Sequence, residues 1–484
     1  MNIADLNPKR VWKHFYSLTQ IPRPSKHEEK AVAFLKKFGE DLGLETIQDG
    51  IGNIIIRKPA TVGMEGRKGI ILQAHIDMVP QKNSDKVFDF NKDAIEPRIV
   101  EDWVYATGTT LGADNGMGVA VALAVLEAKD LVHGPIEAFI TVDEETGMTG
   151  ARKLQPGVLK GDILINLDSE DEGELYVGCA GGLDATATFN YKEEAIPTGM
   201  TPCTLSVTGL KGGHSGMDIV LYRGNSNKVA MRALLPLINL GGRLISIDGG
   251  SLRNAIPREA FAEIAIPEAK IDQAKKIVEG ICKDVKAELS AVDPDANITL
   301  EKGAKGNTVI DAATALNLVK SVYACPNGVI RMSDAMPGLV ETSSNLAIVH
   351  SENGVAQVKC LMRGSVDSGK DDLGVAITSV FELAGAKVEL AGGYPGWKPN
   401  MDSAILKAMK EVYNNMYGVE PKVMAIHAGL ECGILGGTYP NWDMISCGPT
   451  IRSPHSPDER VCIPTVEKWW NYVVEVLKNA PVKK

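Results

Sequence analysis

The chain has 484 residues, 44% of them hydrophobic and 5% aromatic, which predicts a globular protein with two domains. Its formal net charge of −10 argues against nucleic acid as a partner, because nucleic-acid-binding surfaces are basic. No apolar run approaches the ~18 residues of a membrane span or forms a signal peptide, and the eight scattered cysteines lack a C-x-x-C pair, which predicts reduced thiols in the cytoplasm.

The first third of the chain has the pattern of an α/β domain. Helical periodicity over residues 8–43 is followed by short apolar runs that predict buried strands. The predicted strands and the apolar helix among them cover residues 51–57, 68–78, 119–126 (the helix), 136–142 and 162–167. Alternating strands and helices predict a mostly parallel sheet between two layers of helices.

The pattern changes from about Ala185, where alternating strands and two longer helices indicate a separate α+β domain. The Gly/Pro-rich stretch 391–399 marks the return to the first domain. It is followed by a predicted helix at 404–417, strands at 422–426 and 443–446, and a last helix at 465–477. We therefore predict an α/β/α catalytic domain formed by residues 1–186 and 392–484. An α+β lid domain at residues 187–391 is inserted into it.

Residues that can bind a metal ion follow several of the predicted strands. They are His75, Asp77, Glu144, Glu145, Asp168 and His455, and Asp114 lies in a glycine-rich loop before the apolar helix. Ligands of open α/β sheets bind beyond the carboxyl ends of the strands, so these positions predict one shared metal site. Each residue alone also has an ordinary structural explanation. Asp114, for example, could simply cap its helix.

Two of these motifs contain residue pairs whose side chains could act together at one metal site. His75 and Asp77 share one face of a strand, so Asp77 can accept the second ring N–H of His75, although they could equally be a structural pair. Glu144 and Glu145 can serve one site only if the strand has ended, which the following Thr-Gly allows. One could then bind metal while the other acts as general base. The alternative is two solvated acids at a strand end.

The charges suggest two divalent ions. Four positive charges are balanced by Asp114, Glu145, Asp168 and a bridging hydroxide, while the two histidines add no charge. Oxygen and nitrogen ligands without thiolate suit zinc, manganese or cobalt. Asp114 is the natural bridge between two ions because it lies centrally on a tight loop.

Taken together, the motifs resemble those of the co-catalytic zinc peptidases, the family that includes carnosinase and glutamate carboxypeptidase. The matching segments are His75-x-Asp77, Gly112-Ala113-Asp114-Asn115-Gly116, Asp143-Glu144-Glu145-Thr146-Gly147, Asn166-Leu167-Asp168 and Ser453-Pro454-His455. The resemblance covers essentially the whole chain, including the N-terminal segment Ile21-Pro22-Arg23-Pro24-Ser25.

The resemblance implies a role for each residue. One zinc ion would be held by His75, Asp114 and Asp168, and the other by Asp114, Glu145 and His455. Asp77 would orient His75, and Glu144 would be the general base. The resemblance also implies a cis peptide bond between Asp114 and Asn115.

Four further residues are candidates for contacts with a substrate. The resemblance implies that His214, in a glycine-rich loop of the predicted lid, donates to the carbonyl oxygen of the substrate, although it could simply be a turn residue. Arg363 could bind a substrate carboxylate or form a surface salt bridge. Asn254 is a weaker candidate for the same end, and Glu431 could bind a free α-amine.

The resemblance therefore implies a zinc-dependent cytoplasmic dipeptidase that hydrolyses unblocked dipeptides, including those ending in histidine. A bridging hydroxide would attack the peptide bond, with Glu144 as the base. The alternatives are a tripeptidase or an N-acyl-amino-acid amidohydrolase on the same scaffold, and a non-catalytic peptide-binding relative. Relatives with smaller lids dimerise through them, so the resemblance is compatible with a monomer or with a homodimer through the lid. We expect neither a nucleic-acid nor a membrane partner.

Overall fold

The structure, a computed structural model, describes residues 2–483 and divides into two compact units. The α/β unit comprises Met1–Gly178, Pro399–Ala425 and Leu430–Lys484, and the inserted unit comprises Cys179–Lys398 and Ile426–Gly429. The expected boundaries after residues 186 and 391 fall inside two strands of the inserted unit, so these strands belong to it as a whole.

The first part of the α/β unit contains five helices and eight strands. The helices are α1 (Lys9–Thr19), α2 (Glu29–Asp41), α3 (Ala113–Glu127), α4 (Glu144–Gly147) and α5 (Thr149–Lys153). The strands are β1 (Glu45–Gln48), β2 (Ile54–Lys58), β3 (Ile70–His75), β4 (Pro97–Val100), β5 (Trp103–Ala106), β6 (Ile136–Thr141), β7 (Ile163–Asn166) and β8 (Glu174–Cys179).

The inserted unit contains the next thirteen strands and four helices. The strands are β9 (Gly181–Asn190), β10 (Glu193–Ala195), β11 (Met200–Thr208), β12 (Gly213–His214), β13 (Arg243–Gly249), β14 (Ala255–Ile256), β15 (Ala260–Pro267), β16 (Asn297–Lys302), β17 (Thr308–Ile310), β18 (Gly328–Met332), β19 (Val340–Glu352), β20 (Val355–Gly364) and β21 (Lys387–Tyr394). The helices are α6 (Ser226–Asn239), α7 (Ile271–Glu288), α8 (Ala312–Ala324) and α9 (Asp367–Leu383).

The chain then completes the α/β unit. The remaining elements are α10 (Ala404–Tyr417), β22 (Lys422–Ile426), α11 (Glu431–Thr438), β23 (Asp443–Ser446), β24 (Ile451–Arg452), β25 (Arg460–Cys462) and α12 (Ile463–Lys478). Three short 3-10 helices lie at Ile3–Asp5, Ile219–Leu221 and Glu268–Lys270. Among the described residues, no helix is long and apolar enough to cross a membrane.

The main sheet has eight strands in the order β1-β2-β6-β3-β7-β23-β8-β22. Its four central strands, β6, β3, β7 and β23, run parallel, whereas β1, β2 and β8 pair antiparallel with their neighbours. Every residue of β3, β6 and β7 is buried, which explains their nearly continuous apolar sequences. The predicted parallel core of an α/β domain is thus confirmed, with antiparallel strands added outside it.

Helix α3 packs in the interior of the α/β unit. All residues from Met117 to Leu126 are buried, so this helix has no polar face. Gly112 precedes it with a φ of 70°, and a Cβ at this glycine would lie 2.4 Å from the Arg23 guanidinium. The loop that carries Asp114 can therefore approach Arg23 only because position 112 has no side chain.

The large sheet of the inserted unit consists of two similar halves. Its order is β16-β11-β15-β13-β19-β20-β9-β21, with β18 paired to β19. Each half has four strands and two helices in the chain order β-α-β-β-α-β, and its strands have the spatial order 4-1-3-2 counted within that half. In the second half, the first strand, β9, is separated from α8 by the whole of the first half. The halves meet where the second strand of each, β13 and β19, pair antiparallel.

Candidate metal centre

The carboxyl ends of three neighbouring parallel strands meet at one edge of the main sheet. His75 is the last residue of β3, Thr141 the last of β6 and Asn166 the last of β7. In the register of the sheet His75 lies beside Thr141, and Gln73 lies beside Asn166. The residues that follow these strands therefore enter one region, as the sequence predicts.

Asp114 lies between the two histidines of this region. Its Oδ1 is 3.1 Å from Nε2 of His75, and its Oδ2 is 3.1 Å from Nε2 of His455. The peptide bond between Asp114 and Asn115 is cis, as the resemblance implies. Each carboxylate oxygen of Asp114 thus faces a different imidazole, which is the arrangement required of a residue that bridges two ions.

Each imidazole also faces a second carboxylate. Nε2 of His75 lies 3.2 Å from Oδ1 of Asp168, and Nε2 of His455 lies 2.9 Å from Oε2 of Glu145. A ring nitrogen carries at most one proton, so each Nε2 has a single proton to share between two carboxylates. Oδ1 of Asp168 and Oε1 of Glu145 are buried and have no hydrogen-bond donor of their own.

This donor set fits a pair of divalent metal ions. Ligand atoms of His75, Asp114 and Glu145 lie within 4.8 Å of one another, so candidate ligands of both expected ions come close together. The donors are imidazole nitrogens and carboxylate oxygens, which suit zinc, manganese or cobalt. A cation would also satisfy the buried carboxylate oxygens that the protein leaves without a donor.

Asp77 organises the surrounding chain. It is fully buried, and its Oδ1 lies 3.3 Å from Nδ1 of His75. Its two oxygens also accept hydrogen bonds from the backbone N–H groups of Glu144 (3.0 Å) and Glu145 (3.2 Å), while Ser25 donates its hydroxyl to Oδ2 at 2.8 Å. One carboxylate therefore fixes both an imidazole and the turn that carries the two glutamates.

The two glutamates reach the same region because the chain leaves the strand direction before them. Asp143 adopts a left-handed conformation with φ 52° and ψ 46°, and Glu144 then begins the short helix α4. On a helical turn, adjacent side chains need not point to opposite faces as they do in a strand. The sequence predicts a strand end here, and the turn occurs at Asp143 rather than at Thr146-Gly147.

The pKa values in this region are shifted because several acids lie close together in a buried environment. Burial raises the pKa of Glu144 well above its usual value and also raises the pKa values of Glu145 and Asp168. Hydrogen bonds to Asp114 and Glu145 raise the pKa of His455 to about 11. Burial opposes protonation of His75, but Asp168 and its other carboxylate neighbours raise its pKa well above normal. Without metal, the negative charge of these carboxylates is therefore balanced by protons on the carboxyl groups and histidines. Bound cations would displace those protons.

Two structural residues of this site were not predicted as such from the sequence. The buried carboxylate of Glu459 accepts hydrogen bonds from the backbone N–H groups of residues 111–114. The fully buried Arg23 donates to the carbonyls of Ile76 (2.8 Å) and Gly112 (2.6 Å). Arg23 lies in a segment that carries the resemblance, and Glu459 follows His455 by four residues. These positions could have marked both residues as candidates for the site, but the sequence does not reveal their hydrogen bonds.

Glu431 lies at the same sheet edge, at the start of α11. It is fully buried, and its Oε2 accepts hydrogen bonds from Gln73 Nε2 (2.5 Å) and Thr141 Oγ1 (2.8 Å). Its Oε1 is buried without a hydrogen-bond partner. Burial raises the pKa of Glu431 to about 8.

Three other predicted residues come together within the inserted unit. His214 pairs with Ala255 between β12 and β14, and the N–H of Ser215 donates to the carbonyl of Asn254 at 2.8 Å. Arg363, near the end of β20, is buried and directs its Nε to Ser215 Oγ at 3.3 Å. The structure thus places His214, Asn254 and Arg363 around one short loop.

The histidines in this loop region are neutral. Nδ1 of His214 accepts from the N–H groups of Gly216 (3.2 Å) and Met217 (3.0 Å), which leaves the proton on Nε2. Burial, and then the charge of Arg363, lower its pKa. His427, to which the sequence gives no role, lies 2.7 Å from Ser343 Oγ through its Nε2, and burial followed by Arg363 lowers its pKa to about 3.

Comparisons with known proteins agree with this architecture. A model of peptidase family M20/M25/M40 matches residues 71–479. The chain is 46% identical over 482 residues to cytosol non-specific dipeptidase of Escherichia coli (strain K12), covering 99% of each protein. The crystal structure of aminoacylhistidine dipeptidase from Vibrio alginolyticus is 48% identical, with a TM-score of 0.94 over 100% of this chain and 99% of that one. A tripeptidase structure from Staphylococcus aureus shares the fold, at a TM-score of 0.62 and 17% identity.

Proposed function

The chain belongs to peptidase family M20/M25/M40, and we propose that it is a metal-dependent dipeptidase acting on dipeptides with a free amine, including those that end in histidine. Two of its relatives, matched over nearly their full length, are named as dipeptidases, and the name of one includes aminoacylhistidine. The observation that carries the proposal is the position of Asp114, whose two oxygens each lie 3.1 Å from a different histidine.

We propose that His75, Asp114 and Asp168 hold one ion and that Asp114, Glu145 and His455 hold the other. The support is the pair of carboxylates that lies beside each imidazole. The buried Oδ1 of Asp168 and Oε1 of Glu145, which make no hydrogen bond, support it further. Two divalent ions bound there would polarise the scissile carbonyl group and lower the pKa of the attacking water. We propose zinc, with cobalt and manganese as alternatives, because all three accept this donor set.

The residues of the chain then move the proton. Glu144 takes a proton from the attacking water and returns it to the nitrogen of the leaving amine. Asp77 keeps Glu144 in place through the backbone N–H of that residue, and it orients His75 through the ring nitrogen remote from Asp114. The short helix α4 therefore carries the base on a turn that is fixed by the same carboxylate as the imidazole.

The remaining site residues would recognise the two ends of a dipeptide. Glu431 binds the α-ammonium group through Oε1, the buried oxygen that has no partner within the protein. Arg363 binds the carboxylate, with Asn254 at the same end. His214 donates Nε2–H to the carbonyl oxygen as negative charge develops on it. Anchors of opposite charge at the two ends favour dipeptides over longer or N-blocked substrates.

We also propose that the protein works in the cytoplasm, as the name of its Escherichia coli relative indicates for that protein. A homodimer through the inserted unit stays a prediction. Strand β21 lies at an edge of the large sheet, and its residues are mostly exposed, so this strand is the one we propose for the contact. Light scattering of the wild-type protein and of a variant with proline at exposed Glu389 would test it.

Hydrolysis assays on protein treated with chelator, with zinc, cobalt or manganese added back, test the proposed function. The substrates are β-alanyl-histidine, glycyl-histidine, leucyl-glycine, a tripeptide and an N-acetylated amino acid. We expect metal-dependent cleavage of the dipeptides alone. Cleavage of only the tripeptide or the N-acetylated substrate would instead indicate a tripeptidase or an amidohydrolase, and metal binding without any hydrolysis would indicate a peptide-binding protein.

A further inference from the structure

A buried chain of polar side chains runs across the sheet beneath the metal-binding residues. Gln73 precedes His75 by two residues on β3 and is fully buried. Its Oε1 accepts a hydrogen bond from Asn166 Nδ2 at 2.5 Å, and its Nε2 donates to Glu431 Oε2 at 2.5 Å. Neither Gln73 nor Asn166 has a role predicted from the sequence.

The direction of this chain is fixed at one end by the backbone. The N–H of Asp168 donates to Asn166 Oδ1 at 3.3 Å, and the hydroxyl of Ser446 donates to the same oxygen. Because a backbone N–H can only donate, Asn166 must direct its oxygen there and its NH₂ group to Gln73. Gln73 must then direct its own NH₂ group to Glu431.

The result is an asymmetric environment for the Glu431 carboxylate. Oε2 receives two donors, from Gln73 and Thr141, while Oε1 is buried without any. Burial raises the pKa of Glu431 to about 8, so this carboxyl keeps its proton near neutral pH until a cation reaches Oε1 and favours the ionised form. A free α-ammonium group supplies both a positive charge and three donors.

We propose that Gln73 is a positioning residue for substrate specificity: it holds Glu431 so that Oε1 faces the free amine of the dipeptide. This inference rests on the proposed function, since it deepens the role given there to Glu431. Gln73 does not touch substrate. It acts by fixing the rotamer of Glu431, and Asn166 acts on Gln73 in the same way.

The test compares two substrates that differ only in the amine, leucyl-glycine and 4-methylpentanoyl-glycine. In Gln73→Met, which keeps the length of the side chain but removes its donor, we expect KM for leucyl-glycine to rise roughly tenfold to a hundredfold, the effect of one hydrogen bond to a charged group. The kcat value for leucyl-glycine, the bound metal per chain and the low residual hydrolysis of 4-methylpentanoyl-glycine, which lacks the free amine, should stay near wild type. Gln73→Glu, which places an acceptor against Glu431, should have a larger effect on the same KM.

The matched control is Gln155→Met, because Gln155 is an exposed glutamine, and it should behave as wild type. The inference about Gln73 is overturned if Gln73→Met lowers activity on both substrates equally, loses metal or leaves KM for leucyl-glycine unchanged. If Gln73→Met does not fold, the test uses Gln73→Glu and Asn166→Asp, and compares the rate of leucyl-glycine hydrolysis with that of 4-methylpentanoyl-glycine in each.

The Glu431→Gln variant separates this inference from the proposed function. If it abolishes the preference for the free amine while the Gln73 variants keep it, Glu431 binds the amine and only the role of Gln73 is rejected. If the wild-type protein hydrolyses both substrates equally well, the proposed amine contact fails and this inference fails with it.

Discussion

The carboxylate of Glu459 holds the loop that presents Asp114, accepting the backbone N–H of Asp114 at 3.2 Å through Oε1. The same carboxylate accepts from Leu111 (2.7 Å), Gly112 (2.9 Å) and Ala113 (2.7 Å). Four successive N–H groups at the entry to α3 are thereby satisfied by one side chain. Glu459 follows His455 closely in sequence, so a single short segment supplies both a candidate metal ligand and the support of Asp114, the proposed bridging residue.

We expect Glu459→Gln to weaken metal binding and activity by about tenfold to a hundredfold, the usual effect of removing a residue that supports metal ligands. An amide offers one acceptor oxygen and would direct its NH₂ group at two of the four backbone donors. Competition with a chromogenic chelator measures the metal affinity. Glu467→Gln, at an exposed position of α12, is the matched control. An affinity equal to wild type would show that Asp114 is held by other contacts.

The sequence predicts much of this site because each metal-competent residue follows an apolar strand or lies in a glycine-rich loop. The bounds of α10, β22 and β23 also match the prediction, since their periodic or apolar residues are bounded by turn residues. The supporting contacts could not be predicted in this way. Gln73 and Glu431 are 358 residues apart in sequence, and only the packed sheet brings them together. The doubled order of the inserted unit is likewise a property of strand pairing, not of any visible sequence repeat.

Metal binding should release protons and become tighter as the pH rises. In the metal-free protein, hydrogen bonds to Asp114 and Glu145 raise the pKa of His455 to about 11, so its ring is protonated at neutral pH. An ion can bind only after that proton leaves, and the cost of removing it decreases as the pH approaches this pKa. We expect release of about one proton for each ion bound.

Titration calorimetry in two buffers with different ionisation enthalpies measures this release, and repetition at increasing pH gives the affinity. Equal heats in the two buffers, together with an affinity independent of pH, would contradict the assignment of His455 as a ligand. Thermal unfolding gives a second readout, because an ion that binds only the folded protein must raise the melting temperature.

Glu144→Gln should lower kcat by about a hundredfold to ten-thousandfold while bound metal stays unchanged. The amide keeps the size of the side chain but cannot take a proton from water. Burial raises the pKa of Glu144 well above its usual value in the metal-free protein. Nearby cations would lower this pKa, because they favour the ionised carboxylate. Steady-state assays on leucyl-glycine and elemental analysis test this, with exposed Glu65→Gln as control. A metal-replete variant with wild-type kcat would remove Glu144 from the mechanism.

Arg363→Met should raise KM for dipeptides by about tenfold to a hundredfold, because a charge-assisted hydrogen bond to the substrate carboxylate is lost. Leucyl-glycinamide lacks this carboxylate, so the variant should hydrolyse it as the wild type does. Arg232→Met removes an arginine from a surface ion pair with Glu288 and serves as the control. Equal losses on the acid and the amide would mean that Arg363 supports the loop through Ser215 instead.

His214→Gln should lower kcat by roughly a hundredfold to a thousandfold, as expected for a lost donor to the developing oxyanion, with little change in KM. The N–H groups of Gly216 and Met217 hold Nδ1 as an acceptor, so the neutral ring presents Nε2–H. Burial and Arg363 lower the pKa of His214, which keeps the ring neutral at and above neutral pH, so this residue should add no step to the pH profile of kcat there. Exposed His350→Gln is the control. If His214→Gln raises KM and leaves kcat unchanged, the ring binds the ground state of the substrate rather than stabilising the transition state.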